Sequence, residues 1–502
     1  MIREYLEQIE NGMDVRKNLI ALKAACKDSA GRTAVLYALN NQLQVFYDLL
    51  KSEEPKIRKN VALILGQLGV QDSLVPLFDA YEKEETLFVK SSYLTAIREL
   101  DYRQYLEVFK KRLQELQSQE IEESNRKHIK EECKLLQDMI LALEGYQKHT
   151  FTGWKVPSRI ILMTNRNFRE ITAEQIKSHH PKVFNAGVQA RTSDLKEIFE
   201  VRTFKELLFV LEDKSSLTKE GKTVDEMARM LAKQISDSSL LQFLQERHQG
   251  ETPFYFRIEC KNKMDLKQKS VFTKKLGSYL QEQSENQLIN STSHYEVELR
   301  LIENKSGNFN FLIKLFTLKD SRFSYRREAL SSSIQPVNAA LVMHLAKEYL
   351  SENAQVLDPF CGVGTMLIER NRFLPTGDMY GIDLFGKGIE AARRNTELAG
   401  VRINYINRDF FDFTHAYLFD EVISNMPRAI GQKTKADITL LYRKFWTKIR
   451  EHIGKGSVLV LYCYDREILK ETLPRQFFTI KEEFEISKKE DAYCYVISYG
   501  KS

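Results

Sequence analysis

Residues 356–369 read VLDPFCGVGTMLIE: an apolar strand ending at Asp358, a turn with two glycines, and a helix that starts near Thr365. Gly362 and Gly364 allow the backbone to turn tightly and to approach a ligand closely. In open α/β sheets, ligands bind beyond the carboxyl ends of the strands, where such a turn lies. The stretch therefore predicts an α/β domain with a ligand site at this turn.

The sequence on both sides of this stretch continues the same pattern. Apolar strands alternate with helices from about residue 330 to the C-terminus, and the last two strands have no helix between them. This pattern predicts an open, mostly parallel, Rossmann-like sheet with a hairpin at one edge. The predicted strands are AQVLDPF (354–360), DMYGIDL (378–384), INYINRD (403–409), FDEVISN (419–425), GSVLVLYCY (456–464), FFTIKEEFEI (477–486) and YCYVISYG (493–500).

Acidic residues at three successive strand ends indicate the kind of ligand. A dinucleotide fingerprint needs a third glycine where this chain has Leu367. Asp358 suits an amino-bearing ligand, Asp383 suits ribose hydroxyls, and Asp409 suits an adenine amine. Each aspartate alone is explained equally well as a helix cap or loop residue. The three together favour S-adenosylmethionine over NAD or ATP.

The glycine turn and its surroundings resemble a known enzyme family. DPFCGVGTMLIE looks like the first motif of class I methyltransferases, in the form typical of RNA methylases that carry a THUMP domain. Asp383 matches the second motif, and residues 322–346 resemble the R-x-Y-R linker and following helix of that family. The resemblance implies a cofactor site formed by Asp358, Phe360, Gly362, Gly364, Thr365, Asp383 and Asp409. It also implies that Arg322, Tyr325 and Arg326 contact the substrate.

The stretch EVISNMPRAIG (421–431) lies at the fourth strand end, where this fold places its reacting groups. Family members that methylate amines are similar here: Asn or Asp, any residue, Pro, then an aromatic that stacks on the extruded base. The amide oxygen and a backbone carbonyl beside the proline orient the amine's lone pair. Asn425 and Pro427 match, but Arg428 replaces the aromatic. Arg428 either contacts the base or a phosphate, or marks a degenerate site.

Two further domains are predicted upstream of the methyltransferase-like region (321–502). Residues 1–150 have helical periodicity and a weak repeat, DVRKNLIALK (14–23) and KIRKNVALIL (56–65), which resembles a HEAT-like α-solenoid that binds a protein partner. A plain helical bundle is the alternative. Residues 157–320 mix strands and helices, and resemble more weakly a ferredoxin-like plus THUMP RNA-binding module.

Composition narrows the class of protein. The chain has 502 residues and a net charge of +6, which permits a nucleic-acid partner without requiring one. Three stretches mix basic and aromatic residues: 261–275, 322–327 and 442–448. The six cysteines form no CxxC pair, so zinc and disulfides are not expected. The N-terminus lacks a signal peptide pattern and no window predicts a membrane span, so a cytoplasmic protein is expected.

These observations lead to one functional hypothesis and two classes of alternative. The hypothesis is an S-adenosylmethionine-dependent methyltransferase that acts on an exocyclic base amine of RNA, with guanine N2 in tRNA first by resemblance. Guanine N2 in rRNA and adenine N6 are alternative targets. A catalytically degenerate RNA-binding or assembly protein that works through its helical repeats is the alternative from another class.

Overall fold

The computed structural model describes residues 2–40, 42–118, 125–144, 149–429, 431 and 433–500. The chain separates into two compact units, Met1–Lys148 and His149–Ser502. Within the described ranges, every helix is too short or too polar to cross a membrane.

The first unit is built from helices, as predicted. Its helices are α1 (Ile2–Glu10), α2 (Val15–Ala25), α3 (Ser29–Ala38), α4 (Gln44–Leu49), α5 (Pro55–Leu68), α6 (Leu74–Lys83), α7 (Leu87–Ile97), α8 (Leu106–Ser118) and α9 (Arg126–Glu144).

Four helices of this unit, α2, α5, α7 and α9, pack in series. Helix α5 packs between α2 and α7, and α7 packs next to α9, while α4, α6 and α8 pack against α5, α7 and α9 respectively. Pro55 starts α5 and Gly69 ends it with a left-handed backbone conformation. Gly66 allows α5 to approach α7, because a Cβ there would lie 2.5 Å from Cα of Ala96. The helical content is confirmed; the HEAT-like classification stays a prediction.

The N-terminal part of the second unit is a mixed sheet with helices. Its strands are β1 (Thr150–Phe151), β2 (Ser158–Thr164), β3 (Lys182–Phe184), β4 (Gly187–Thr192), β5 (Phe204–Val210), β6 (Ser216–Leu217), β7 (His248–Gln249), β8 (Phe254–Lys261), β9 (Leu288–Asn290), β10 (Val297–Glu303) and β11 (Phe309–Leu315). Its helices are α10 (Arg169–Gln175), α11 (Leu195–Glu200), α12 (Val224–Ser236), α13 (Leu240–Gln245) and α14 (Leu266–Gln283).

Nine of these strands form one sheet in the order β3-β4-β2-β5-β11-β10-β8-β9, with β6 paired to β11. Strand β10 is antiparallel to β11 and parallel to β8, so the sheet is mixed. An α+β architecture was predicted for this region, and its assignment as a THUMP-like module stays a prediction.

The C-terminal part contains the predicted doubly wound sheet. Its strands are β12 (Val356–Asp358), β13 (Met379–Asp383), β14 (Asn404–Asn407), β15 (Phe419–Asn425), β16 (Ile453–Tyr464), β17 (Phe478–Ser487) and β18 (Ala492–Tyr499). Its helices are α15 (Pro336–Leu345), α16 (Thr365–Phe373), α17 (Gly386–Ala399), α18 (Lys435–Ile449) and α19 (Arg466–Thr472).

The strand order in this sheet is β14-β13-β12-β15-β16-β18-β17. Strands β12 to β16 run parallel, whereas β18 lies between β16 and β17 and is antiparallel to both. The order reverses at β12, so the ends of β12 and β15 open a crevice at this switch point. The prediction of an open, mostly parallel sheet with an antiparallel hairpin at its edge is confirmed.

A buried ion pair fixes the helix that follows the glycine turn to the strand that carries Asn425. Arg370, near the end of α16, donates from Nε to Glu421 Oε2 on β15 at 2.7 Å. Arg370 also donates to the carbonyls of Leu374 and Ser351, and the Ser351 amide donates to Glu421. Both charged groups are fully buried and well supplied with partners. The pair therefore holds α16 and β15 in a fixed relative position.

Candidate active site

A cavity of about 600 Å³ lies at the carboxyl ends of β12, β13, β15 and β16. It collects most of the residues that the sequence predicts for the cofactor: Asp358, Phe360, Gly362, Thr365, Asp383 and Asp409. Asn425, Pro427 and Arg428, at and after the end of β15, line the same cavity. Nine of the ten residues predicted for cofactor binding and catalysis thus lie around one space. Gly364 supports the turn from outside the lining.

The glycine turn takes a conformation that depends on its two glycines. Gly362 and Gly364 have φ angles of 50° and 81°, in the left-handed region that favours glycine. A Cβ on Gly364 would lie 2.2 Å from Oη of Tyr405, whereas a Cβ on Gly362 would meet no atom within 4 Å. The amide of Gly362 donates to Asp383 Oδ2 at 2.8 Å. This bond joins the turn after β12 to the end of β13.

Asp358 is the most buried acidic group in the cavity wall, with 1% of its surface exposed. Its Oδ1 accepts from Ser424 Oγ at 2.6 Å and from the Phe360 amide at 3.0 Å. Its Oδ2 is buried and accepts no hydrogen bond from the described residues. Burial raises the pKa of Asp358 to about 7, against the opposing effect of the Ser424 and Phe360 hydrogen bonds. A ligand ammonium at this point would give the carboxylate the partner that it lacks.

Asp383 and Asp409 each hold a backbone turn and also line the cavity. Asp383 accepts from the Phe385 amide through Oδ1 at 2.8 Å, and Asp409 accepts from the Phe411 amide at 3.0 Å. Asp409 caps a short 3₁₀ turn, as the alternative explanation for a single aspartate anticipated. A carboxylate has about four lone-pair directions, so both residues retain acceptor capacity for a ligand.

Three buried side-chain oxygen atoms in the cavity wall lack a hydrogen-bond partner within the described structure: Asp358 Oδ2, Thr365 Oγ1 and Asn425 Oδ1. Buried polar atoms are almost always hydrogen-bonded, so three in one wall indicate a site built for a polar ligand. The set contains a carboxylate, a hydroxyl and an amide oxygen. These residues fit a ligand with an ammonium group and hydroxyl groups, as S-adenosylmethionine has.

Asn425 ends β15 with its amide group oriented by the chain. Its Nδ2 donates to the Ser332 carbonyl at 3.2 Å, and its Oδ1 is the unpaired acceptor described above. The next amide, of Met426, donates to the Tyr462 carbonyl at 2.9 Å and extends the pairing with β16. The carbonyl of Pro427 accepts from Tyr442 Oη at 3.3 Å. The backbone around Asn425 is therefore held on both sides.

Arg428 lies over an aromatic ring that the sequence did not indicate. Its guanidinium carbon is 4.1 Å from the ring centroid of Tyr464, at the end of β16. Its Nε is buried without an acceptor among the described residues. Tyr464 also lines the cavity. Only the pairing of the strands indicates that Tyr464 belongs to the site, because Asn425 lies opposite Tyr462 in the parallel β15–β16 pair.

The three residues predicted to contact substrate lie outside the described cavity lining. Arg322 is 5% exposed and donates to the carbonyls of Val201 and Phe204, so its guanidinium is used inside the protein. Tyr325 is 2% exposed and donates from Oη to Glu369 at 2.6 Å. Arg326 is half-buried, and burial lowers its pKa. In this structure Arg322 and Tyr325 are packing residues, because their polar groups are buried and paired.

The basic and aromatic stretch 442–448 is also explained by packing. Tyr442, Phe445 and Trp446 are buried in the core beneath the sheet, so their rings cannot stack on a nucleic acid base. Spacings of three and four residues from Tyr442 place all three on one side of α18. Arg443 and Lys444 of the same stretch are exposed to solvent.

Sequence comparisons match the C-terminal part of the chain to methyltransferases. Residues 324–491 match the family model UPF0020, described as RMKL-like, methyltransferase domain. A tRNA (guanine(10)-N2)-dimethyltransferase of Methanothermobacter thermautotrophicus is 26% identical over 132 residues, which are 26% of this chain and 38% of that relative. The chain thus spans well under half the length of this curated relative.

Solved structures share the fold at low sequence identity. TrmN from Thermus thermophilus superposes with a TM-score of 0.52 at 18% identity, covering 68% of this chain and 99% of its own. A putative methyltransferase, SMU.472, complexed with SAH has a TM-score of 0.52 at 13% identity, covering 69% and 99%. The C-terminal part of the chain therefore has the class I methyltransferase fold, and residues 324–491 within it match a methyltransferase domain.

Proposed function

We propose that the protein methylates an exocyclic amine of an RNA base, with guanine N2 in tRNA as the first candidate. The carrying observation is the orientation of Asn425: Ser332 holds its Nδ2, which leaves Oδ1 as a buried, unpaired acceptor in the cavity wall. An exocyclic amine supplies the N–H donor that this oxygen lacks. The curated relative described as acting on guanine N2 of tRNA supports the choice of base and RNA.

The chain's own residues orient the amine and hold the cofactor. Bound S-adenosylmethionine supplies an electrophilic methyl group on a sulfonium. Asn425 Oδ1 accepts one N–H of the amine, and the backbone carbonyl of Met426, which precedes Pro427, accepts the other. Two such bonds point the nitrogen lone pair along one direction and remove its freedom to rotate. Asp358, Asp383 and Asp409 hold the cofactor, with Phe360, Gly362, Gly364 and Thr365 shaping the turn around it.

The domain organisation belongs to the same proposal. Residues 1–150 are a HEAT-like surface for a protein partner, residues 157–320 a THUMP-like module that binds RNA, and residues 321–502 the catalytic domain. Substrate is brought to the catalytic domain in the cytoplasm by the central module. Arg202 and Glu369 form one bidentate pair through two hydrogen bonds of 2.8 and 2.7 Å, which supports a fixed connection between the central region and α16.

The test compares methylated nucleosides from tRNA and rRNA of cells with and without the gene, by mass spectrometry. Loss of N2-methylguanosine or its dimethyl form from tRNA is expected. Loss from rRNA, or loss of N6-methyladenosine, would reassign the target, and unchanged profiles in both RNAs would contradict an RNA methyltransferase. Purified protein should then restore the missing nucleoside on RNA from the deletion cells.

The role of Asn425 has a matched pair of variants. Asn425→Ala should slow methyl transfer by about 100-fold or more, because the amine loses the acceptor that orients it. Asn425→Asp keeps an acceptor oxygen at the same place and should retain much more activity. Calorimetry should find cofactor affinity within a few fold of wild type for both. Loss of cofactor binding in Asn425→Ala would mean that the residue supports the cofactor site instead.

A further inference from the structure

The ring of Tyr464 lies beside Arg428, the residue that stands where the sequence motif has an aromatic. Strands β15 and β16 are parallel, with Asn425 opposite Tyr462. Tyr464 lies two residues further along β16, beside the N-M-P-R segment and on the same face of the strand as Tyr462. Its register partner on β18 is Ala492, a small residue that leaves room for the ring. The sheet therefore delivers an aromatic ring to this end of the cavity from the neighbouring strand.

Arg428 and Tyr464 are in direct contact. The guanidinium carbon is 4.1 Å from the ring centroid, which is a contact distance for a cation lying on a ring face. Tyr464 is itself supported by Tyr462, whose ring centroid is 5.4 Å away at an interplanar angle of 80°. Both Arg428 and Tyr464 line the cavity and are only partly exposed. The guanidinium thus has one side supported by aromatic packing instead of moving freely in solvent.

We propose that Tyr464 and Arg428 together form the platform on which the extruded base stacks, Tyr464 holding the guanidinium and Arg428 presenting its plane to the base. The proposal rests on the proposed function. A guanidinium is planar and weakly hydrated, and it stacks on nucleic acid bases as well as on aromatic rings. Supported by a tyrosine, it supplies the flat surface that an aromatic at position 428 supplies in similar enzymes. Tyr464 is a positioning residue in this arrangement.

Four variants separate stacking from charge. Arg428→Phe keeps a plane and loses the charge, whereas Arg428→Lys keeps the charge and loses the plane. Tyr464→Phe keeps the supporting ring, and Tyr464→Leu removes it. Arg450→Lys is the matched control, because Arg450 lies 3.7 Å from the ring centroid of Phe477 outside the cavity lining.

Methyl transfer to RNA from deletion cells is the first measurement. Arg428→Lys and Tyr464→Leu should each lower kcat/KM for RNA by about tenfold to a hundredfold, the usual effect of removing a base-stacking side chain. Arg428→Phe should lose less activity than Arg428→Lys, and Tyr464→Phe less than Tyr464→Leu, whereas the control Arg450→Lys should stay within a few fold of wild type. KM for the cofactor should not change in any of them. The double variant Arg428→Lys/Tyr464→Leu should have a kcat/KM for RNA no lower than that of the less active single variant, because both substitutions disrupt the same platform.

The second measurement does not depend on methyl transfer. A short single-stranded RNA that carries 2-aminopurine loses fluorescence when the base stacks, and wild type with S-adenosylhomocysteine should quench it. Arg428→Phe should quench similarly and Arg428→Lys should not. Equal quenching by both, or an active Lys variant beside an inactive Phe variant, would overturn the platform in favour of a phosphate contact. Quenching by wild type without any methylated product would refute the proposed function and leave the platform standing.

Discussion

Protonation of Asp358 should control how tightly the protein binds S-adenosylmethionine. The cofactor carries an ammonium group, and the carboxylate has one buried oxygen without a partner among the described residues. Burial raises the pKa of Asp358 to about 7, so the free protein holds it largely protonated in mildly acidic solution. Only the charged carboxylate pairs favourably with an ammonium. Binding should therefore be weaker at low pH and should release a proton.

The size of the effect follows from the pKa of about 7. Roughly a tenth of the free protein carries a charged Asp358 at about pH 6, and roughly nine tenths at about pH 8. If the ammonium keeps the carboxylate charged in the complex, the apparent Kd should rise about tenfold as the pH falls from about 8 to about 6. Near neutral pH, binding should release about half a proton per molecule.

Calorimetry in two buffers with different protonation enthalpies measures both quantities. Asp358→Asn cannot release a proton, so its Kd should be higher and nearly independent of pH. Asp383→Asn is the control, because it weakens cofactor binding but leaves the Asp358 carboxyl in place. It should keep a pH dependence, shifted to lower pH because the Asp383 charge helps to raise the pKa of Asp358. A wild-type Kd that is constant between these conditions, with no proton released, would refute the reasoning. A pH dependence that survives in Asp358→Asn would assign it to another group.

The same pKa has a consequence for stability in the absence of cofactor. The folded state holds the Asp358 proton to a higher pH than the unfolded chain does. Its contribution to stability is therefore fully present below the ordinary carboxyl pKa and is lost as the pH rises toward about 7. Asp358→Asn should gain thermal stability relative to wild type as the pH rises through this range. A difference in Tm that does not vary with pH would contradict the assigned pKa.

Three further predictions test how the site is supported. Glu421→Gln breaks the buried pair with Arg370 and should lower the free energy of unfolding by about 3–5 kcal/mol in urea; an unchanged midpoint would contradict this. Gly364→Ala should lower Tm strongly because the added Cβ has no space, whereas Gly362→Ala should mainly lower cofactor affinity. A larger loss of Tm in Gly362→Ala than in Gly364→Ala would contradict this account of the turn. Tyr325→Phe should lose about 1–2 kcal/mol of stability and keep its RNA affinity; lost affinity with full stability would restore its substrate role.

The catalytic fold could be predicted because its sequence signals are local. Most of the parallel strands are apolar runs followed by an α-helix, although β14 is followed only by a 3₁₀ turn, and the glycine turn fixes where the ligand edge lies. In the central region, the prediction was less complete. The segment around β5 (Phe204–Val210) alternates apolar and basic residues imperfectly, and four consecutive residues at its end are buried, so periodicity does not identify it as a strand.

Some residues of the candidate site could be predicted from the sequence and others could not. Residues at the ends of strands, such as Asp358 and Asn425, could be predicted because all parallel strands end at one edge of the sheet. The sequence could not show whether Arg322 and Tyr325 contact substrate or lie in a buried contact between two parts of the chain, because the same mixture of basic and aromatic side chains is compatible with both. Glu369 receives Arg202 and Tyr325 together, so this segment connects the central region to α16. Only the long-range contacts distinguish this buried contact from an RNA surface.

Arg428 shows why a motif read along one strand is incomplete at this edge of a sheet. An aromatic expected at position 428 is defined by its distance in sequence from Asn425, but a bound base contacts whatever the two adjacent strands bring together. Here the parallel pairing of Asn425 with Tyr462 brings Tyr464 to the same end, 4.1 Å from the guanidinium of Arg428. The Tyr464 ring gives the guanidinium a planar support within the cavity, which an altered stacking platform requires. The contact therefore favours an altered platform over a lost one, and the variants at both positions decide between them.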